Sequence, residues 1–317
     1  MTRFILISCI VVCSIFSLLI GVKDISVFNI LKLGQEEVMI LFVSRIPRII
    51  SLIVAGVGMS ISGMIMQQIT LNKFVSPTTA GSLDAAKLGI LIATILLPNT
   101  DSLYKMLFAF AFTVIASLIF MRFVNRIKKK SIIFVPLVGI MFGSVLSAIS
   151  TFFAYKNNIV QNMETWLIGD FSSILKGNYE LIYVSLPFVL ITYLYANKFT
   201  VIGLGEDFST SLGLNYNRIV ALGLVCVSLT VSSIMITAGA IPFLGLIIPN
   251  IVSFIFGDNL KKTLPYTAMI GALFLILCDI ISRLIIFPYE IPIGLTVGVI
   301  GGAIFLLLIL KRGRYAT

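Results

Sequence analysis

Nine stretches of this 317-residue chain are each close to the ~20 apolar residues that carry a helix across a bilayer. They lie at about 4–22, 48–69, 78–97, 104–122, 131–154, 179–197, 217–237, 264–286 and 293–310. A tenth, 243–256, reads F-L-G-L-I-I-P-N-I-V-S-F-I-F. It is shorter and contains Pro249, which a membrane helix tolerates when neighbouring groups take up the freed carbonyl. Backbone polar groups in hydrocarbon must be satisfied within the segment, so runs of this length and spacing have to be helices. The expected fold is all-α, a polytopic membrane protein with ten transmembrane helices forming one domain over residues 1–317. Composition agrees: 59% of residues are hydrophobic and 11% charged. Soluble domains carry about 25% charged residues, so this chain cannot make an ordinary solvated surface.

Loop charge orients the spans. With the N-terminus in the cytoplasm, the inside segments hold 14 Lys and Arg residues and the outside segments 7, while Lys87 and Arg283 fall within spans. The excess predicts cytoplasmic N- and C-termini, with the block Arg122–Lys130 and the tail K-R-G-R as the strongest contributors. The net charge of +10 therefore reads as basic cytoplasmic loops, not as a nucleic-acid surface. The first run is expected to be an uncleaved span. Leu6-Ile7-Ser8-Cys9 resembles a lipoprotein cleavage box, yet only five residues separate Arg3 from Cys9 and the apolar run continues to Ile20, too short a lead for a signal segment. Arg45 and Arg48, in S-R-I-P-R-I-I (Ser44–Ile50), land on the outside, against the charge rule. They read either as an outward-facing basic pair that meets a partner or as an anchor pair reaching lipid headgroups. Pro47 between them suits the first turn of the second span, where its missing N–H costs little.

Within the spans, Asp84 and Lys87 are spaced i, i+3, and Asp279 and Arg283 i, i+4, so each acid has a base on its own helix face. Intramembrane charge is a functional hypothesis by default, but pairing of this kind reads as self-neutralising structure and argues against a proton relay. Gly139 with Gly143, and Gly294, Gly298 and Gly302, are spaced for close helix approach, with the last helix packed tightly or facing a subunit interface or pathway. The longest inside loop, 198–216, places Gly205 before Glu206 and Asp207. Acids there suit the first turn of a short helix over about 206–212, closed by Gly213 as its C′ residue. No G-x-x-x-x-G-K-[ST] occurs and there is no histidine, so neither a P-loop nor a Ser-His-Asp arrangement is encoded. Cys9, Cys13, Cys226 and Cys278 lie in apolar runs without a CxxC, which predicts no metal site and no disulfide framework. A metal cargo would have to arrive chelated.

Five landmarks in order resemble the iron-siderophore, haem and cobalamin permeases of ABC importers, and the resemblance covers nearly the whole chain. They are R-I-P-R with Val54–Gln67 and Asn72–Gly81; Trp166–Ser172; Gly205–Glu206 through Leu212–Gly213; Gly239–Gly257; and Glu290-Ile-Pro-Ile-Gly294. The chain departs from the family pattern at Lys73-Phe74 (usually Pro-Leu), Pro242 (often Gly), Asn250 (usually His) and Ser253 (usually Arg). S-P-T-T-A-G-S-L-D-A-A-K-L-G is similar to the Gram-positive siderophore branch, including catecholate-type systems. The resemblance implies a permease of the cell membrane with no catalytic residues. It implies a second permease subunit, here expected to form a heterodimer, ATPase subunits that hold ATP and Mg, an extracellular substrate-binding lipoprotein and ferric-siderophore cargo, with haem or cobalamin as alternatives. Arg45 and Arg48 would dock the lipoprotein in the extracellular layer that includes 155–178. Glu206, Asp207, Leu212 and Gly213 would engage the ATPase through the coupling segment 198–216. The rival readings are an ion-coupled secondary transporter, which would need inverted repeats and a midplane ion site, and an intramembrane enzyme or structural membrane subunit.

Overall fold

The computed structural model describes residues 2–21, 34–126 and 133–314, and among the described residues there is no strand. In chain order the helices are α1 (Thr2–Leu19), α2 (Gln35–Thr70), α3 (Ser82–Leu96), α4 (Ser102–Arg126), α5 (Phe134–Lys156), α6 (Val160–Leu167), α7 (Glu180–Leu194), α8 (Ala196–Ile202), α9 (Glu206–Ser211), α10 (Tyr216–Ala238), α11 (Leu244–Phe256), α12 (Leu260–Leu284) and α13 (Ile293–Arg314). Six of them, α1, α2, α4, α5, α10 and α12, are individually long and apolar enough to cross a membrane. The pair α7–α8, bent by 67°, makes a seventh. α3 and α11 are shorter, at 15 and 13 residues. Lys23, Lys32 and Lys128 to Lys130, which entered the loop-charge count, lie outside the described residues.

The second span begins earlier than its apolar run. Helix α2 starts at Gln35, so Pro47 sits inside a continuous helix and not in a first turn. Residues 41–45, just before Pro47, adopt the wider π form. The ring nitrogen of Pro47 cannot donate to the carbonyl of Val43, one helical turn back. That carbonyl accepts instead from the backbone N–H of Lys176 at 2.8 Å. The proline is thus accommodated in mid-helix because a distant loop satisfies the group it frees.

Helix α2 is the centre of the bundle, with Leu52, Met59, Ile65, Met66 and Ile69 fully buried. It packs against α10, α11 and α12. In lipid the helices gain little from hydrophobic association, so close backbone contact through small residues takes over. Gly56 lies against Gly271 and Ala272 of α12, where an added Cβ would come within 2.6 Å of the Gly271 carbonyl oxygen. A Cβ at Gly63 would overlap the Gly245 carbonyl of α11. On the far side α3 is sandwiched between α4 and α5. Helix α1 leans on α12 and buries little besides Ser17. Buried hydroxyls at Thr70, Thr113 and Thr267 bond carbonyls four residues back on their own helices, which offsets their desolvation cost locally.

Replacing Gly63 with Leu must push α2 and α11 apart, an overpacking cost of about 1–3 kcal/mol or more. The variant is expected to lower the thermal midpoint of the detergent-purified protein by several degrees. Gly302→Leu, where nothing lies within 4 Å of an added Cβ, should leave the midpoint unchanged.

Candidate functional site

The polar side chains gather at the two ends of the bundle. At the end where α1 and α12 finish and α2 begins, three arginines and two acids form one network. Asp279 of α12 is fully buried. One of its oxygens accepts from Arg48 Nε at 3.0 Å and Nη2 at 2.7 Å, and the other from Arg283 Nη2. Arg48 Nη1 continues outward to Glu290 Oε2 at 2.7 Å. Arg283 Nη1 donates to the carbonyls of Ser17 and Ile20, each at 3.1 Å. Arg45 Nη1 donates to those of Leu18, at 2.5 Å, and Leu19, at 3.3 Å. The last carbonyls of α1, which have no partner within their own helix, are therefore capped by two arginines from two other helices. The cations also meet the negative end of the α1 dipole.

The Asp279–Arg283 pair expected from the sequence forms, but it is part of a larger cluster that includes Arg48, 231 residues away in the chain. Arg45 and Arg48 are both largely buried, Arg45 being 8% exposed, and both guanidinium groups are engaged within the chain. Glu290, noted in the sequence only as part of a motif, supplies the network's outermost acid. Asp84 and Lys87, expected to pair, lie near enough for the lysine charge to act on the carboxylate without a direct ion pair. Lys87 is 1% exposed and its Nζ donates to Ser147 Oγ of α5 at 2.9 Å, with no ion pair to Asp84 among the described residues. The reason is packing: Lys87 lies in the α3–α5 contact, where a hydroxyl on α5 is within reach.

At the opposite end, α9 forms over Glu206–Ser211. Gly213 is its C′ residue with φ +76, its N–H bonding the Thr210 carbonyl at 2.8 Å while the Leu214 N–H bonds Ser209 at 3.0 Å. These are the two bonds of a Schellman cap. Phe208 and Leu212 are about half exposed, so α9 presents acids and apolar groups outward. Nearby, Lys73 Nζ donates to both Asp258 oxygens and to Ser253 Oγ, each at 2.8 Å. Asn250 Nδ2 donates to the Lys73 carbonyl at 2.7 Å. The departures at positions 73, 250 and 253 thus meet at one point that ties the loop after α2 to α11. Sequence reading listed them separately because 177 residues separate Lys73 from Asn250.

The glycines divide by environment. Gly139 packs on Thr79 and Ala80, and Gly143 on Gly81 and the Asp84 carboxylate, so both serve the contact of α5 with α3 and the loop before it. Gly294 meets Gly169, whose carbonyl accepts the Gly294 N–H at 2.9 Å. Gly298 has only Pro242 nearby, at 3.8 Å, and Gly302 has open space. Gly301, not singled out in the sequence, is the residue that packs α13 on Phe243 and Ile247. Gly169, Pro242, Gly294, Gly298 and Val299 line an apolar groove of about 360 Å³ on the outer face of α13.

A bundle of long apolar helices with its larger charged clusters at the two ends defines a polytopic membrane protein. Its fold matches the solved structure of a metal-chelate-type ABC transporter in an inward-facing conformation, over 98% of this chain and 99% of that one, with a TM-score of 0.84 at 24% identity. Residues 9–311 match the FecCD transport family. The chain belongs to that family: it is a multi-pass permease subunit of the cytoplasmic membrane and not itself an ATPase. It is 54% identical over 306 residues to the petrobactin import system permease protein YclN of Bacillus subtilis, covering 96% of this chain and 97% of the relative. It is 46% identical to the ferric-anguibactin transport system permease protein FatD of Vibrio anguillarum, covering 94% and 95%.

Asp279→Asn removes the charge that holds two buried arginines. Breaking a buried ion pair from one side costs about 3–5 kcal/mol, so the variant should unfold at markedly lower temperature or denaturant. A midpoint equal to that of the unaltered protein would show that the network carries no structural load.

Proposed function

We propose that this chain is the permease subunit of an ATP-binding cassette importer for iron–siderophore complexes, with petrobactin-like ferric chelates as the cargo class. The observation that carries this reading is the near-full-length identity of 54% with a permease named for petrobactin import. A second relative named for ferric anguibactin favours a ferric siderophore over haem or cobalamin. The Bacillus relative also supports a Gram-positive source.

There are ten crossings on this reading: α1, α2, α4, α5, α10, α12 and the bent pair α7–α8, which are long and apolar enough, together with the shorter α3 and α11 and the last helix, α13. On this reading both termini are cytoplasmic, α9 and the segment 198–216 face the ATPase, and the arginine network with segment 155–178 faces outward. Glu206, Asp207, Leu212 and Gly213 shape the ATPase contact, and ATP and Mg stay on that partner. A second permease subunit packs on α5 and α13, whose exposed apolar side chains include Met141 at 62% and Val299 at 73%; that the two subunits differ, as a heterodimer, rests on the family resemblance. Gly298 and Gly302 lie on that same helix. Arg45 and Arg48 contribute docking of the binding lipoprotein, and Arg48 does so through the arm that now meets Glu290.

In a strain lacking this gene, restoring it should restore uptake of radioactive iron supplied as the petrobactin chelate. Restored growth on haem or cobalamin, with no gain in chelate uptake, would reassign the cargo. Arg48→Glu should weaken binding-lipoprotein affinity about tenfold or more, since removing one partner of a buried charge pair typically costs at least that much. Co-purification with the ATPase checks that the variant assembles, and unchanged affinity in an assembled complex would remove Arg48 from the docking surface.

A further inference from the structure

Arg48 stands between two acids of different character. Asp279 is fully buried and holds the Nε and Nη2 arms. The Glu290 side chain is 31% exposed and holds only Nη1. Among the described residues Arg48 is the hydrogen-bond partner of the Glu290 carboxylate. The inner acid therefore fixes the plane of the guanidinium, leaving Nη1 aimed at a site whose present occupant is a half-exposed carboxylate on a loop. Arg fits such a role because its donors keep a fixed fork geometry whichever carboxylate they meet.

Arg48 and Arg283 face Asp279 and Glu290, so departure of Glu290 would leave two cations against one anion in a poorly solvated setting. Another carboxylate would be drawn to that place. The surroundings suit a protein surface: Phe287 is 56% exposed and Tyr289 75%, and exposed aromatics around a partly buried ion pair are the usual makings of an interface core.

We infer that Glu290 is an internal stand-in for a carboxylate of the docked binding protein. It occupies Arg48 Nη1 in the free permease and is displaced when an acidic residue of the partner takes its place. This rests on the docking reading of Arg48 and adds a consequence to it. Glu290 lies in the loop between α12 and α13, whose backbone is held by the Ile291 N–H on the Ser282 carbonyl at 3.1 Å and by the Gly294 N–H on the Gly169 carbonyl at 2.9 Å. Freeing Glu290 removes the side-chain tie between this loop and α2, at the entry to α13, whose first turn lines the apolar groove beside Gly169. Docking at Arg48 is thereby coupled to the helix beside the groove.

The test measures binding-lipoprotein affinity for the complete permease–ATPase complex in nanodiscs, at two salt concentrations. The variants are Glu290→Gln, Arg48→Gln and the double variant. Because Gln keeps the size of Glu at an exposed position, the complex should assemble. Removing the competing carboxylate should tighten binding by roughly fivefold at low salt, with a smaller gain at high salt as screening predicts. The gain should vanish in the Arg48→Gln background, the signature of coupling between the two positions. If Glu290→Gln leaves affinity unchanged or weakens it while Arg48→Gln weakens it, the exchange is wrong and docking by Arg48 stands. If Arg48→Gln has no effect, docking and exchange both fall.

Discussion

The single carboxylate of Asp279 lets two arginines exist inside an apolar bundle. Moving a charge out of water is costly, and a buried pair is tolerated only when its geometry is good and its remaining donors are satisfied. Asp279 meets Arg48 through one oxygen and Arg283 through the other. Nη1 of Arg283, together with Arg45, then goes to the final carbonyls of α1, while the buried Nε of Arg283 has no hydrogen-bond partner among the described residues. Helix α1 touches little besides α12 and has few buried side chains, so these bonds form much of its attachment. The same acid orients Arg48 toward Glu290 and so links α2 to the approach of α13. Four helices are joined through one point of charge.

The second organising constraint is that every backbone group in the apolar layer needs a partner. It explains why α2 carries a proline in mid-helix. The carbonyl that Pro47 cannot engage receives the Lys176 N–H, and the π turn ahead of it gives the ring room. The constraint also explains the glycines of α2. Helix backbones that approach through Gly56, Gly63, Gly245 and Gly271 gain dispersion contacts that bulkier residues would hold apart. The segment 155–178, read from sequence as extracellular, is thus part of the framework through its contact with α2.

At the other end of the molecule the sequence departs from its family pattern in a coordinated way. Lys73 brings a cation to Asp258 and Ser253, while Asn250 binds the Lys73 backbone. A change at position 73 alone would remove the cation that meets Asp258 and Ser253, and a bulky cation at 253 would compete with Lys73 for the same acid. The three residues form one unit, although nothing in their spacing reveals it.

The all-helical character of the chain and the approximate places of its long apolar helices are legible in the sequence because the requirement behind them is local. About twenty apolar residues in hydrocarbon can satisfy their backbone only as a helix. Gly213 as the closing residue of α9 is legible for a similar reason, since a left-handed C′ position belongs to glycine almost regardless of its surroundings. The family was carried by five ordered motifs. Partner choice among the charged groups was decided by tertiary structure alone. Asp279 had a base one turn away, and that pair formed, yet Arg48 also reached it from another helix. Lys87 had an acid one turn away and chose a hydroxyl on α5. Spacing along a helix states which groups are able to meet. Which of them do meet depends on what the neighbouring helices bring to the same buried point, and that is set by packing between residues hundreds of positions apart.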